Sequence, residues 1–249
     1  MSRARAGSIL AVFVLAFGLA GSAWSLDHFV VYEVKRVAAN FGVSLTDQFA
    51  PAAKDAKTEA LTRFANPTRK IHGATAIGIS DINAHLSWYT INQPQIEPRR
   101  TVRFRNQFGQ HSVDIKTPRF LLVPAQKTSH AGSAFPAKLD HYKCYEVIRI
   151  NTAPPLPVVK LRDQFGQQPA AQVGKVRFFC NPVVKKRAGQ RTKPIVNKVD
   201  HLAVYAMPLL PKPTRIRVKD QFGERALEVV QRVLLTVPTE KQVAVAHQN

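Results

Sequence analysis

The chain predicts an all-β protein. Three observations point that way: a short signature written four times, alternation of apolar and polar residues around each copy, and prolines gathered between the alternating segments. The signature reads "LTDQFA" at 45–50, "FRNQFG" at 104–109, "LRDQFG" at 161–166 and "VKDQFG" at 218–223. Aligned on Phe49, Phe108, Phe165 and Phe222, the copies lie 59, 57 and 57 residues apart. A fixed period of this kind constrains a fold before any local reading does.

Two further marks accompany every copy. Ahead of it stands a His four residues before a Tyr: His28 and Tyr32, His85 and Tyr89, His141 and Tyr145, His201 and Tyr205. Behind it an apolar segment ends at a proline, Pro67, Pro124, Pro182 or Pro238. Odd copies end in Asn-Pro with a lysine soon after; even copies end in "LLVP" or "LLTVP" and approach the signature through a Pro-rich stretch. The chain therefore reads as a duplicated pair. The predicted fold is two tandem antiparallel β-sandwich or partly closed barrel domains, each built from two repeats of about 57 residues. A four-bladed propeller is the alternative, since four repeats can close a ring. The expected boundaries are a leader at 1–25, domain one at 26–128, a small polar linker at 129–136, domain two at 137–240 and a tail at 241–249.

Alternation assigns the faces. In the opening strand Phe29 and Val31, Leu86 and Trp88, Tyr142 and Cys144, Leu202 and Val204 form a core face. His and Tyr share the opposite face, with Val30, Ser87, Lys143 and Ala203 between them. In the signature strand one parity is apolar and is interrupted by Asp47, Asn106, Asp163 or Asp220. The other parity is basic in three copies: Arg103 and Arg105, Lys160 and Arg162, Arg217 and Lys219. Prolines cluster at 94 and 98, at 154, 155 and 157, and at 208, 211 and 213, placements expected between strands or at edges.

Residues 1–25 carry Arg3 and Arg5, an apolar run from Ile9 to Ala20 and small residues at Ala23 and Ser25, the layout of a cleaved secretory signal peptide. A secreted or periplasmic setting follows; the alternative is a membrane anchor formed by the uncleaved segment. Losing Arg3 and Arg5 takes the 36 basic residues down by two against 16 acidic ones, and the formal charge from +20 to +18. Such a charge speaks to partners rather than to fold. It favours acidic polysaccharide, lipopolysaccharide or an anionic membrane surface. Nucleic acid is disfavoured, because export removes it and no stacking aromatics interleave the basic positions.

Cys144 and Cys180 are the two cysteines. An even count in an exported chain reads as a disulfide, and the aligned positions in other copies are mostly apolar, as two neighbouring core sites would be. The alternative is a pair of separate buried thiols.

"DHYKCYEV", "KLRDQFG" and "FFCNPVVKK" together resemble an uncharacterised family of exported bacterial repeat domains whose copies read DHxxCY, LxDQFG and LCxP. The resemblance covers nearly the whole chain after the leader. It implies export and a cysteine link between the first and last motifs, here Cys144 and Cys180. It brings no catalytic residues and no cofactor.

The signature Asp invites a general-base reading, but Asn106 replaces it in one copy, so a shared role in organising a turn is expected. The four Gln of the signature have no local explanation. The His and Tyr pairs at His28, Tyr32, His85, Tyr89, His141, Tyr145, His201 and Tyr205 are expected to be structural. A hydrolase or metal-dependent enzyme built on them is the competing reading. No metal set, catalytic motif or cofactor loop is evident. The functional expectation is a non-enzymatic binding or structural module. Its anion-binding candidates are Arg103, Arg105, Lys160, Arg162, Arg217 and Lys219, joined by Lys185, Lys186 and Arg187 of the loop "KKRAGQRTK".

Overall fold

The computed structural model describes residues 26–129 and 131–247, with the backbone alone at 169. The predicted leader lies outside the described residues. Repeat 1 folds as β1 (His28–Ala38), β2 (Gly42–Asp47) and β3 (Lys54–His72), followed by the short β4 (Thr75–Ile77). Repeat 2 gives β5 (His85–Asn92), β6 (Arg100–Asn106) and β7 (Gly109–Lys127). Repeat 3 gives β8 (His141–Thr152), β9 (Val158–Asp163), β10 (Gly166–Gln172) and β11 (Val176–Lys186). Repeat 4 gives β12 (Asp200–Asp220) and β13 (Gly223–Ala246).

The all-β, antiparallel prediction holds, with all thirteen strands in one sheet. The first and last strands of each repeat alternate around a ring. Pairing runs β1, β13, β12, β11, β8, β7, β5, β3 and returns from β3 to β1. The predicted division at 129–136 is not respected by the hydrogen bonding: β7 pairs β8 across it, and β1 pairs β13 from the far end of the chain. The physical reason is that each repeat ends in a strand whose second edge needs a partner, and the next repeat's first strand supplies it. Ring closure, which the propeller alternative foresaw, is present, but as ladders joining successive repeats rather than as separate blades.

Each apolar segment that ends at a repeat proline is part of a longer strand, and β3, β7, β11 and β13 run through theirs. Pro67, Pro124, Pro182 and Pro238 pair with Phe29, Leu86, Tyr142 and Leu202 inside their own repeat. In each case the last pair with the neighbouring repeat lies two residues earlier, at Ala65, Leu122, Cys180 and Thr236. Each proline thus stands on a strand that has just lost one neighbour, where a missing N–H costs no ladder bond. β12 likewise runs through Pro208, Pro211 and Pro213, with register shifts at Ala206/Leu210 and Pro211/Thr214.

Past its proline every strand takes up the signature strand of the repeat two places away. Arg69–Ile71 of β3 pairs β9, Ala125–Lys127 of β7 pairs β12, Val183–Lys186 of β11 pairs β2, and Glu240–Ala246 of β13 pairs β6. Residues 241–246, expected as the start of a tail, therefore belong to the sheet. Folding the hairpins back in this way buries both faces of the ring. One core joins Phe29, Val31, Leu86, Trp88, Cys144, Cys180, Leu202 and Val204; the other joins the four tyrosines to Leu45, Phe104, Leu161 and Val218 of the hairpins. The face that the His and Tyr positions share is thus a second core.

Candidate functional site

The signature Asp or Asn organises its own turn, as expected. The backbone N–H of Phe49, Phe108, Phe165 and Phe222 donates to Asp47, Asn106, Asp163 and Asp220 at 2.7 to 3.0 Å. Gly109, Gly166 and Gly223 close three of these turns at φ near +114°, +108° and +120°, a region open to glycine alone without strain.

The second carboxylate oxygen reaches the opposite repeat. Tyr32 donates to Asp163 at 2.7 Å, Tyr89 to Asp220 at 2.6 Å and Tyr145 to Asp47 at 2.8 Å. In the fourth case Asn106 donates its amide to the Tyr205 oxygen at 2.7 Å. The asparagine preserves the bond by reversing donor and acceptor, so the position is one of linkage, not of charge. Burial first, then the adjacent carboxylates, push the hydroxyls of Tyr32 and Tyr89 far above the ordinary tyrosine range. Burial also raises Asp163 and Asp220, against the lowering effect of the tyrosine bonds.

The signature Gln turns to the preceding repeat. Gln221 meets His141 Nε2 at 3.1 Å, Gln48 meets His201 Nε2 at 3.3 Å, and Gln107 faces His28. Gln48 and Gln164 also donate to the carbonyls of Lys198 and Ile82, each three residues ahead of a repeat histidine. His85 stacks on Phe64 and His201 on Phe179, with centroids 5.3 and 5.5 Å apart. All four histidines are buried. Desolvation lowers His28 and His141 to about 3 and His201 to about 4, so they are neutral across the physiological range. They stand one per repeat around the ring, each beside its own neighbour's hairpin. Among the described residues no three His, Cys, Asp or Glu side chains gather as a metal-binding group. The Asp preceding His28 and His141 serves a loop instead: Asp27 accepts from the N–H groups of Ser80 and Asp81, and Asp140 from those of Val196 and Asn197.

Sequence reasoning missed a fourth mark. A lysine follows each repeat proline by three residues, and its ammonium lies over the signature Phe of the next repeat. Lys70 is 4.5 Å from the Phe108 ring centre, Lys127 5.2 Å from Phe165, Lys185 5.0 Å from Phe222 and Lys241 4.9 Å from Phe49. Burial lowers Lys70, Lys127 and Lys185 to about 8. The spacing is present in the sequence of all four copies, at Lys70, Lys127, Lys185 and Lys241. Lys185 is therefore corrected from an anion-binding candidate to a buried scaffold residue. Arg187 is partly engaged too, with its guanidinium 4.6 Å from the Phe41 ring centre. Another buried cation, Lys143, pairs with Glu97 at 3.1 Å, the carboxylate coming from the Pro-rich loop ahead of β6.

Cys144 and Cys180 form the disulfide and stand directly opposite in the β8–β11 register. The six strand cations behave as their parity requires. Arg103, Arg105, Lys160, Arg162, Arg217 and Lys219 are exposed while the residues between them are buried. None of the six ion-pairs with a carboxylate among the described residues. They occupy three different hairpins, so the fold arranges them as separate stripes. Arg162 is the one that gains a cationic neighbour, standing opposite Arg69 in the β3–β9 register.

The profile of a repeat of unknown function, DUF7450, matches residues 85–238, well over half of the chain. The chain belongs to the DUF7450 family. The DUF7450 match starts at the histidine of repeat 2 and stops at the proline of repeat 4, on two of the repeat marks. Repeat 1 lies outside it yet makes the same Tyr, His and Lys contacts as the DUF7450 copies. No curated protein and no solved structure matches the chain.

Proposed function

We propose that this protein is an exported, non-catalytic module that binds acidic polymers of the cell envelope or its surroundings through the outward parity of its signature strands. The carrying observation is the contrast within those strands. Every inward residue is consumed by the scaffold, whereas six outward cations are exposed with no carboxylate partner among the described residues. Exposed cations in separated stripes suit an extended polyanion, which gains by many weak contacts rather than by one deep pocket. The ligand class is acidic polysaccharide, lipopolysaccharide or an anionic membrane surface, in a secreted or periplasmic setting. Lys186 is exposed and extends the same chemistry to the loop after β11. The repeated His and Tyr positions, on which an enzymatic reading depends, are buried, and the four tyrosines are hydrogen-bonded to the opposite repeat.

The test is retention of the chain, from residue 26 onward, on a sulfated-polysaccharide resin. Elution should move to lower salt as Arg103, Arg105, Lys160, Arg162, Arg217 and Lys219 are changed to Gln. Undiminished retention of the six-site variant rejects the reading.

A further inference from the structure

Repeats 1 and 3 differ in how far their first strand stays paired with their last. In repeat 1, β1 resumes its pairing with β3 after a shift, at Val37 with Leu61 and Ala38 with Ala60. In repeat 3 the pairing of β8 with β11 stops at Glu146 with Phe178 and does not resume. Beyond that point β8 keeps β7 as its neighbour, from Val147 through Thr152. The departure of β11 is fixed by Gly174 and Lys175. Gly174 N–H donates to the Ala206 carbonyl at 2.8 Å, and Ala206 N–H donates to the Lys175 carbonyl at 3.0 Å. A Cβ on Gly174 would lie 3.0 Å from that Ala206 oxygen, so glycine permits the approach.

The result is a cleft of 440 Å³ between β8 and β11, lined by Val147, Ile148, Arg149 and Ile150 on one side and Lys175, Val176 and Arg177 on the other. On a strand with one partner, alternate N–H and C=O groups face the vacated side. Ile148 is 49% exposed, a large apolar side chain left at the rim. Three cations line the cleft and no carboxylate does. The nearby acids are already taken: Glu146 pairs with Arg119, while Asp114 is held by Arg99, Thr101 and Asn151.

We propose that this cleft takes an extended acidic polypeptide segment, which adds to the open edge of β8 as a strand and sets its carboxylates against Arg149, Lys175 and Arg177. The open backbone edge selects a polypeptide, because only a peptide supplies N–H and C=O groups at strand spacing. The cations select acidic side chains at alternate positions, and the exposed Ile148 selects an apolar one between them. This site is independent of the hairpin stripes, so either reading can fail alone.

The probe is a ten-residue synthetic peptide alternating Glu and Val, titrated into the chain from residue 26 onward, with amide NMR shifts as readout. Shifts are expected at residues 147–152. Changing Arg149, Lys175 and Arg177 together to Gln should weaken binding by at least about tenfold. The same peptide N-methylated at alternate backbone amides should lose binding altogether, while the six-site hairpin variant should bind the unmodified peptide undiminished. Equal binding of the N-methylated peptide overturns strand addition. Shifts that fall on the Arg103 hairpin, no binding of either peptide, or displacement of the 147–152 signals by an acidic oligosaccharide in place of the peptide also overturn the proposal.

Discussion

The Tyr32 hydroxyl donates to Asp163 across 131 residues of chain, joining the first strand of one repeat to the signature turn of the repeat opposite. Tyr89 and Asp220 repeat the relation at the same separation. A signature that looks local is therefore a clamp between repeats. Asp163→Asn should cost little, because Asn106 already makes the same link in reverse. Asp163→Ala should cost about 1–3 kcal/mol, since it leaves the buried Tyr32 hydroxyl proton and a turn N–H without an acceptor. Urea unfolding midpoints of the two variants measure the difference.

Acid should loosen the fold early. Desolvation depresses His28 and His141 to about 3 and His201 to about 4, from an ordinary 6.5. The unfolded chain then binds more protons below pH 6.5, so stability is full above that value and falls as pH drops toward the folded values. Asp163 and Asp220, raised by burial, act in the opposite sense nearer the usual carboxylate range. The histidine effect is thus read between pH 7 and pH 5, where the urea midpoint should fall.

Mild alkali should tighten the fold. Lys70 is held near 8 by burial, against an ordinary 10.5, and its ammonium bonds to Gln107. Between those values the unfolded chain holds more protons, so stability rises with pH, by up to about 1.4 kcal/mol per pH unit for this residue. Above about pH 10 the tyrosines of the unfolded chain ionise first and reverse the trend. Lys70→Met should remove its share of the rise from pH 8 to 9.5, measured by thermal unfolding.

Repeat 1 supplies its own control for the disulfide. The residues aligned with Cys144 and Cys180 are Val31 and Ala65, which stand opposite one another in β1 and β3. A Cys144→Val, Cys180→Ala chain should keep the sheet and lose about 4 kcal/mol, the chain-entropy value for a crosslink spanning 36 residues. Circular dichroism and a urea titration check both halves of that expectation.

How much of this was legible follows from where each cause resides. The parity of the signature strand was readable because Val102, Phe104 and Asn106 face inward while Arg103 and Arg105 face out, and a period of two needs no tertiary knowledge. The turn role of Asp47 and Asn106 was readable because its partner lies two residues away. The burial of the His and Tyr face was not readable, since Val30, Ser87, Lys143 and Ala203 share no residue type and are covered only when the hairpins fold over them. The pairing across the expected boundary was hidden for a related reason. Pairing such as Val183 with Asp47 is a choice of partner, and four similar repeats encode several partners equally well. The role of the signature Gln was hidden likewise, because His141 and Gln221 meet across 80 residues.

The central claim is that the signature strands divide by parity, inward residues building the scaffold and outward cations meeting an acidic polymer. It is tested most directly by isothermal titration of a sulfated polysaccharide into the parent chain and into the variant with Arg103, Arg105, Lys160, Arg162, Arg217 and Lys219 changed to Gln. Urea midpoints are recorded alongside. The expected result is an unchanged midpoint with binding lost. Binding that persists at the parent affinity in a fully folded variant would contradict the claim.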